Sequence, residues 1–297
     1  MSARLPLPPS LYALTARPAP STPPLDGSRN VSVAIVGAGF TGLSTALHLA
    51  EKGVDVAVLE AHEPGWGASG RNGGQVNPGL KHDPDVVETD FGPDLGRRMV
   101  VLSWNAPNVV FDLVKRHQIQ CEARQSGTIR AAYTAKAAAG IRTSFGQGAK
   151  RQMPVELLEG ERLAKATGTG RYIAALLDRR GGHVNPLGYA RGLAQAAIQA
   201  GAKVYGATPV TRVERSGSRW LVVTPAGTLS AEKVVLATNG YTDGLWPRLK
   251  RTIVPVYSGV VATEPIPEAI ARDIFPMRSS LYEMGQVTVY YRLDAQN

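Results

Sequence analysis

Three glycines between residues 37 and 42 have the spacing needed to hold a phosphate group. Gly37, Gly39 and Gly42 fit the pattern G-x-G-x-x-G within the stretch VSVAIVGAGFTGLSTALHLAEKGVDVAVLE. In this pattern the first glycine permits a tight turn, the second lets a pyrophosphate approach the backbone, and the third lets a helix lie close to a strand. The intervening residues that complete the predicted phosphate-binding turn are Ala38, Phe40 and Thr41.

The elements on either side of this turn are those that the chemistry requires. Residues 31–36 form a short β-branched apolar run typical of a buried parallel strand, and apolar residues at helical spacing follow from Thr41. A second predicted strand, residues 54–59, ends in Glu60, 18 residues after Gly42. A carboxylate at this position can accept hydrogen bonds from both ribose hydroxyls and repels a 2′-phosphate. The pattern therefore predicts dinucleotide binding and disfavours an NADP-type ligand.

The segment that follows Glu60 is unusual for a nicotinamide-binding domain, which would normally turn into its next helix. Residues 65–74, GWGASGRNGG, hold five glycines in ten positions. Backbone N–H groups and polar side chains here could lie against a long anionic ligand, and the alternative is a flexible loop. The candidate ligand-binding residues of this segment are Ala68, Ser69, Gly70, Arg71, Asn72 and Gly73.

Together these motifs carry a resemblance to a known family. GAGFTG with Glu60, followed by GWGASGRNGGQ, resembles the FAD-dependent amine and amino-acid oxidases of the D-amino-acid oxidase superfamily, and within it the gamma-glutamylputrescine oxidase group. Further similar stretches are GGHVNPLGYARGLAQAA at residues 181–197, VVLATNGYTDGLWP at residues 234–247, VVATEPI at residues 260–266 and VYYRLDAQN at residues 289–297. The resemblance runs through most of the chain.

The resemblance implies a mixed α/β fold with a Rossmann-like FAD-binding domain and an inserted substrate domain built on an antiparallel sheet. The predicted FAD-binding domain comprises residues 28–95 and 183–244, and the predicted substrate domain residues 96–182 and 245–297. By the same resemblance, Val210 meets the adenine through its backbone. The segment after a buried strand that approaches the same cofactor is Thr238, Asn239 and Gly240.

The implied activity is oxidation of a C–N bond in a small amine or amino acid. Hydride passes to the flavin, water hydrolyses the imine, and oxygen reoxidises the flavin to give hydrogen peroxide. We expect non-covalent FAD, since Cys121 does not match the position through which some relatives attach it. No residue is assigned a catalytic role. Arg71 and Asn72 are predicted to lie nearest the flavin or to anchor the glycine-rich loop; Tyr291 and Arg292 are substrate candidates or ordinary strand residues.

Composition narrows the remaining functional classes. Cys121 is the only cysteine, which excludes an intrachain disulfide framework and a cysteine-rich zinc site and favours a reducing cytoplasm. We predict no metal. No apolar run approaches the ~20 residues of a membrane helix. The net charge is +9, but the basic residues are scattered in pairs without interleaved aromatic residues. A solvated surface is therefore favoured over nucleic-acid binding.

Other expectations concern local structure. The first 27 residues hold many prolines and predict an irregular leader, with Leu11, Tyr12 and Leu14 as anchor points. A helix is predicted from Asp94, its expected N-cap, to His117, with a kink at Pro107. The Ala-, Lys- and Glu-rich residues 135–168 predict helix, interrupted near residues 145–148 and at Pro154.

The chain ends at YYRLDAQN, in what is expected to be the middle of a hairpin. Relatives continue with another strand, further helices and a glycine-rich segment, so a truncated oxidase is expected. Two alternatives stand beside an active oxidase: a catalytically silent flavin- or nucleotide-binding module, and an NAD-dependent dehydrogenase, which the GASGRNGG segment disfavours. The sequence does not specify the amine, the oligomeric state or the electron acceptor.

Overall fold

The computed structural model describes residues 5–285 and 288–296. Its helices are α1 (Leu11–Thr15), α2 (Phe40–Ala50), α3 (Pro84–Phe91), α4 (Pro93–Arg116), α5 (Ala135–Lys150), α6 (Gly160–Thr167), α7 (Pro186–Gln199) and α8 (Glu268–Ile274). Its strands are β1 (Gly27–Val36), β2 (Val56–Leu59), β3 (Gln75–Val76), β4 (Thr128–Ala132), β5 (Val155–Glu159), β6 (Ala174–Asp178), β7 (Gly182–His183), β8 (Lys203–Tyr205), β9 (Arg212–Ser216), β10 (Arg219–Val223), β11 (Gly227–Leu236), β12 (Ser280–Glu283) and β13 (Tyr290–Tyr291).

Unit 1 comprises residues 5–72, 119–121 and 186–261. Its six-stranded sheet has the order β8-β2-β1-β11-β10-β9, in which the first four strands are parallel and the last two antiparallel. The apolar residues of β1 and β2 are buried, as expected for central parallel strands. Helix α2 buries Leu43, Ala46 and Leu47 and contacts α7. This arrangement places the N-terminus of α2 at the carboxyl end of the sheet.

Unit 2 comprises residues 73–118, 122–185, 262–285 and 288–296. Its five-stranded sheet has the order β13-β12-β4-β6-β5, and all neighbours are antiparallel except β12 and β4. Alternate strand residues face opposite sides. On one face, Ile129 and Leu281 pack with Phe275 in an apolar core. The other face carries polar residues, including Arg130 and Tyr282. The fold class is therefore the predicted mixed α/β class with a parallel and an antiparallel sheet.

The boundaries of the two units differ from the boundaries of the predicted domains. Residues 73–95 belong to unit 2, because β3 pairs with β7 and α3 packs on α4. The leader belongs to unit 1: Arg191 Nη1 donates to the Arg17 carbonyl at 2.6 Å, and Leu25 is buried. Residues 1–4, 286–287 and 297, which those predictions include, lie outside the described residues. The functions of the two parts stay predictions.

Several local expectations were wrong, for identifiable reasons. Helix α5 runs unbroken through residues 145–148, because Gly148 packs closely against Val155. Helix α4 begins at Pro93 with Gly92 as its N-cap, so Asp94 lies in the first turn instead. Within the leader, Tyr12 is buried in a short helix, whereas Leu14 is 86% exposed and anchors nothing.

Candidate functional site

The turn between β1 and α2 is held by backbone contacts on both sides. Gly37 has φ +105° and donates its N–H to the Leu59 carbonyl at 2.8 Å. A Cβ at Gly37 would lie 2.7 Å from the Ala237 carbonyl oxygen. A side chain would therefore be strained by both the conformation and the space, so this position requires glycine.

The start of α2 is equally close to its surroundings. Gly39 is the N-cap and has extended backbone geometry, and the Phe40 N–H donates to Ser69 Oγ at 3.0 Å. A Cβ on Gly39 would lie 2.8 Å from that Oγ, and one on Gly42 would overlap the Gly37 carbonyl oxygen and approach Ile35. The positive end of the helix dipole therefore lies directly over the turn, which is the arrangement that binds phosphate.

Glu60 follows β2 and reaches back to the same turn. Its Oε2 accepts the Ala38 N–H at 2.7 Å, and its Oε1 accepts the His62 N–H at 3.0 Å. Burial raises the pKa of Glu60, and these backbone N–H groups oppose that rise. A carboxylate has about four acceptor positions, so capacity remains for hydroxyl donors of a ligand.

Residues 65–72 fold into a compact loop that includes a 3₁₀ turn at Ala68–Gly70. Arg71 Nε donates to the Trp66 carbonyl at 2.7 Å, and its guanidinium lies 4.2 Å from the Trp66 ring centroid. Asn72 Nδ2 donates to the carbonyls of Ala68 and Ser69. The structure thus shows both side chains stabilising the loop, the second of the two roles predicted for them.

One atom of this loop is left without a partner. Arg71 Nη2 is buried and has no hydrogen-bond acceptor among the residues that the structure describes. An unsatisfied buried guanidinium N–H costs free energy, of order 1–3 kcal/mol or more for a charged group. A ligand with negatively charged or carbonyl oxygens would satisfy it. The donor set of the turn, the carboxylate and this guanidinium therefore fits FAD.

The remaining predicted cofactor residues lie on two segments that contact the turn. Ala237 donates to the Val36 carbonyl at 2.8 Å, which brings Thr238 beside Gly37. Asn239 and Gly240 form the 3₁₀ turn that follows, and Thr208 donates to the Glu60 carbonyl at 2.7 Å, two residues before Val210. All predicted cofactor residues except Gly73, which belongs to unit 2, therefore lie in unit 1.

Sequence reasoning missed the aromatic residues around the glycine loop. Tyr241 packs 2.9 Å from where a Gly67 Cβ would be, and its ring centroid lies 6.0 Å from that of Trp66. Trp66 Nε1 donates to the Pro6 carbonyl of the leader. Residues Gly65 and Gly70 pack against Leu187 of α7 rather than facing a ligand. The glycine spacing indicated close packing in this loop, but it did not show whether the glycines pack against a ligand or against α7.

The two substrate candidates lie in unit 2. The Tyr291 hydroxyl is 2.8 Å from that of Tyr172, which also donates to Glu283 Oε1 at 2.9 Å. Burial raises the pKa of Tyr172, and its hydrogen bonds with Tyr291 and Glu283 raise it further. Burial also raises the pKa of Tyr291, so both hydroxyls stay protonated and are hydrogen-bonded within this cluster. Tyr172 and Glu283 were not predicted, because they come from distant segments.

The Arg292 side chain donates hydrogen bonds to backbone carbonyls. Its Nε donates to the Gly73 carbonyl at 2.9 Å and its Nη2 to the Val184 carbonyl at 3.3 Å. Its Nη1 lies 3.4 Å from His183 Nδ1. Burial, assisted by the Arg292 charge, lowers the pKa of His183 to about 4. Arg292 thus joins the residue 73 segment to β7.

Two kinds of feature are absent from the described residues. No helix in residues 5–285 and 288–296 is long and apolar enough to cross a membrane. Within the same ranges, no group of three or more His, Cys, Asp and Glu side chains is placed to hold a metal ion.

Comparison with known proteins agrees with this geometry. The profile of the family described as "DAO: FAD dependent oxidoreductase" matches residues 32–297. The chain is 35% identical over 289 residues to gamma-glutamylputrescine oxidoreductase of Escherichia coli (strain K12), covering 97% of this chain and 68% of that protein.

Solved structures show the same fold. Glycine oxidase from Geobacillus kaustophilus matches with a TM-score of 0.61 and 25% identity, over 73% of this chain and 57% of that chain. L-Proline dehydrogenase from P. horikoshii matches with a TM-score of 0.68 and 18% identity, over 92% of this chain and 68% of that chain, and shows the fold alone. This chain spans between 57% and 68% of the lengths of these three proteins.

Proposed function

The chain belongs to the DAO family of FAD dependent oxidoreductases, and from this premise we propose that unit 1 binds FAD non-covalently and that the protein oxidises a C–N bond. The observation that carries the proposal is the contact of the Glu60 carboxylate with the Gly37–Gly39 turn, in the same unit as the buried Arg71 Nη2. These groups supply backbone donors, a hydroxyl acceptor and a cation, which are the groups that a dinucleotide requires.

Each group has a separate part in holding the cofactor. The backbone N–H groups at the start of α2, with the helix dipole, hold the pyrophosphate. Glu60 accepts from the ribose hydroxyls with the lone pairs that Ala38 and His62 leave. Arg71 Nη2 donates to an oxygen of the ligand. None of these groups is a nucleophile, which is consistent with the proposed non-covalent binding.

The substrate class follows from the family and from the relatives' names. Bound FAD supplies a hydride acceptor for the carbon beside a nitrogen. We propose a small amine or amino acid as substrate, with gamma-glutamylputrescine as the first compound to test, and oxygen as acceptor. Both substrate candidates are engaged within unit 2, Tyr291 with the Tyr172 hydroxyl and Arg292 with the carbonyls of residues 73 and 184, so a substrate contact at either stays a proposal. The cytoplasm remains the predicted location.

The test is the visible absorption spectrum of the purified chain after incubation with FAD. We expect a bound flavin band that survives gel filtration and bleaches without oxygen when a suitable amine is added. Candidate amines are gamma-glutamylputrescine, glycine, N-methylglycine and proline. Return of the band on adding air, together with hydrogen peroxide, would support oxygen as the acceptor.

A matched pair of variants separates binding from folding. Gly39→Val places a side chain where the ligand and Ser69 Oγ meet, so it should lose the flavin band. Gly146→Ala, in an open part of α5, should keep it. A flavin band that no amine bleaches would favour the alternative of a catalytically silent flavin-binding module. No band in the unaltered chain would contradict the proposal.

A further inference from the structure

The polar face of the unit 2 sheet encloses a cavity that the proposed function does not use. Its volume is about 40 Å³. A buried water needs roughly 10–15 Å³ of such space, so the cavity has room for about three waters or one small organic anion. Its lining includes the polar residues Arg130, Asp83 and Tyr282 and the apolar residues Trp104 and Met153.

Arg130 has one satisfied edge and one unsatisfied edge at this cavity. Its Nη1 donates to Asp83 Oδ1 at 3.0 Å. Its Nε and Nη2 are buried and have no hydrogen-bond partner within the described part of the chain. Two adjacent guanidinium N–H groups form the planar fork that matches the two oxygens of a carboxylate. The cavity therefore contains a paired donor that no carboxylate of the described residues satisfies.

The neighbouring carboxylates do not accept hydrogen bonds from Nε and Nη2 of Arg130. Asp83 accepts from Arg130 Nη1 through one oxygen and from Ser144 Oγ through the other. Asp178 is paired with Arg180, whose Nε and Nη2 donate to its two oxygens at 2.9 and 2.6 Å. The formal charges of these two acids and two arginines balance. No carboxylate in the described part of the chain accepts from Arg130 Nε or Nη2.

The phenol of Tyr282 adds a donor on the same side. Burial raises the pKa of Tyr282, and the charge of Arg130 and a hydrogen bond between Arg130 and the phenol oppose that rise. The hydroxyl therefore stays protonated over the physiological range and can donate a hydrogen bond. A ligand with two acceptor oxygens and a short apolar end matches the donors and the apolar lining residues of the cavity.

We propose that this cavity binds a small carboxylate of formate or acetate size, with its two oxygens on Nε and Nη2 of Arg130. The short carbon end packs toward Trp104 and Met153. The site is formed wholly by unit 2 residues, so the proposal does not depend on FAD binding or on turnover.

The experiment uses the intrinsic fluorescence of Trp104, which lines the cavity. Sodium formate and sodium acetate are titrated into the full chain against sodium chloride at the same ionic strength, with sodium benzoate as an oversized carboxylate. We expect a saturable change with formate and acetate, none with chloride or benzoate, and loss of the change in Trp104→Phe. The thermal midpoint should rise with formate and acetate alone.

Arg130→Lys keeps the charge beside Asp83 but removes the two-donor edge. We expect it to weaken formate binding by about tenfold or more, because charge-assisted hydrogen bonds are lost. Arg142→Lys is the control, since Arg142 is half exposed and paired with Glu159. If Arg130→Lys does not fold, the comparison of formate and acetate with the larger benzoate on the unaltered chain tests the proposal. An unchanged midpoint and fluorescence with formate and acetate, an equal response to chloride, or unaltered affinity in folded Arg130→Lys would overturn the proposal.

Discussion

The glycine turn of unit 1 and the polar face of the unit 2 sheet are assembled in opposite ways. At the turn, the close contacts are made by the backbone of Gly37, Gly39 and Gly42, which lie within six residues. At the polar face, the contacts are made by side chains such as Asp83 and Arg130, which are 47 residues apart in the chain. A site built from backbone leaves a pattern in the sequence, whereas a site built from distant side chains does not.

The largest expected effect concerns the third glycine of the turn. In Gly42→Ala the new methyl group would overlap the Gly37 carbonyl oxygen and lie 3.2 Å from Ile35 Cγ2. Backbone atoms must move to admit it, so we expect a loss of about 3 kcal/mol in the free energy of unfolding. Urea denaturation followed by circular dichroism measures this.

Gly146→Ala is the matched control in unit 2. Gly146 lies inside α5 with no atom near its missing Cβ. The same chemical change there should stabilise the chain by about 0.5–1 kcal/mol, because alanine favours helix. Similar effects at the two positions would contradict the view that the turn is defined by close backbone approach.

The glycine turn of unit 1 could largely be predicted from the sequence, whereas the side-chain contacts of unit 2 could not. The turn, α2 and Glu60 could be predicted, since each glycine has a steric reason that depends only on its neighbours. Tyr172 and Glu283 could not, because their hydrogen bond joins residues 111 apart in the chain. The role of Arg292 was also missed: its donors bind backbone carbonyls whose positions depend on β7 and on residue 73.

A second prediction concerns the pH dependence of stability that His183 of unit 2 should cause. Burial lowers the pKa of His183 to about 4 from its ordinary value of 6.5. Between these values the unfolded chain takes up a proton that the folded chain does not, so stability falls as the pH falls. For this group the loss from pH 7 to pH 5 should be about 2 kcal/mol.

His183→Gln removes this titration and can still donate to the Arg278 carbonyl, which His183 Nε2 contacts at 3.0 Å. The difference in unfolding free energy between pH 7 and pH 5 should therefore be about 2 kcal/mol smaller than in the unaltered chain. His48→Gln, at an exposed position on α2, is the control and should keep the full difference. Identical pH profiles for the unaltered chain and His183→Gln would show that His183 is not buried as a neutral group.

The smallest expected effect concerns Glu60, whose carboxylate accepts a hydrogen bond from the turn at Ala38. Because burial raises the pKa of Glu60, the ligand-free folded chain binds more protons than the unfolded chain just above pH 4.5. The contribution of this carboxyl to stability therefore falls as the pH rises through that window. Hydroxyl donors from a ribose would stabilise the charged form and offset this loss.

Glu60→Gln keeps the shape of the side chain but removes the charge. We expect FAD to bind about tenfold more weakly, or about 1.4 kcal/mol, since hydrogen bonds to a charged acceptor become neutral ones. Glu51→Gln, at an exposed position after α2, should leave the affinity unchanged. Flavin fluorescence quenching gives the dissociation constants of FAD from the two variants. Urea denaturation of the ligand-free chain from pH 4.5 upward tests whether the contribution of Glu60 to stability falls as the pH rises. Unaltered FAD affinity in Glu60→Gln would mean that the backbone of the turn alone selects the cofactor, which would extend the contrast between the two regions.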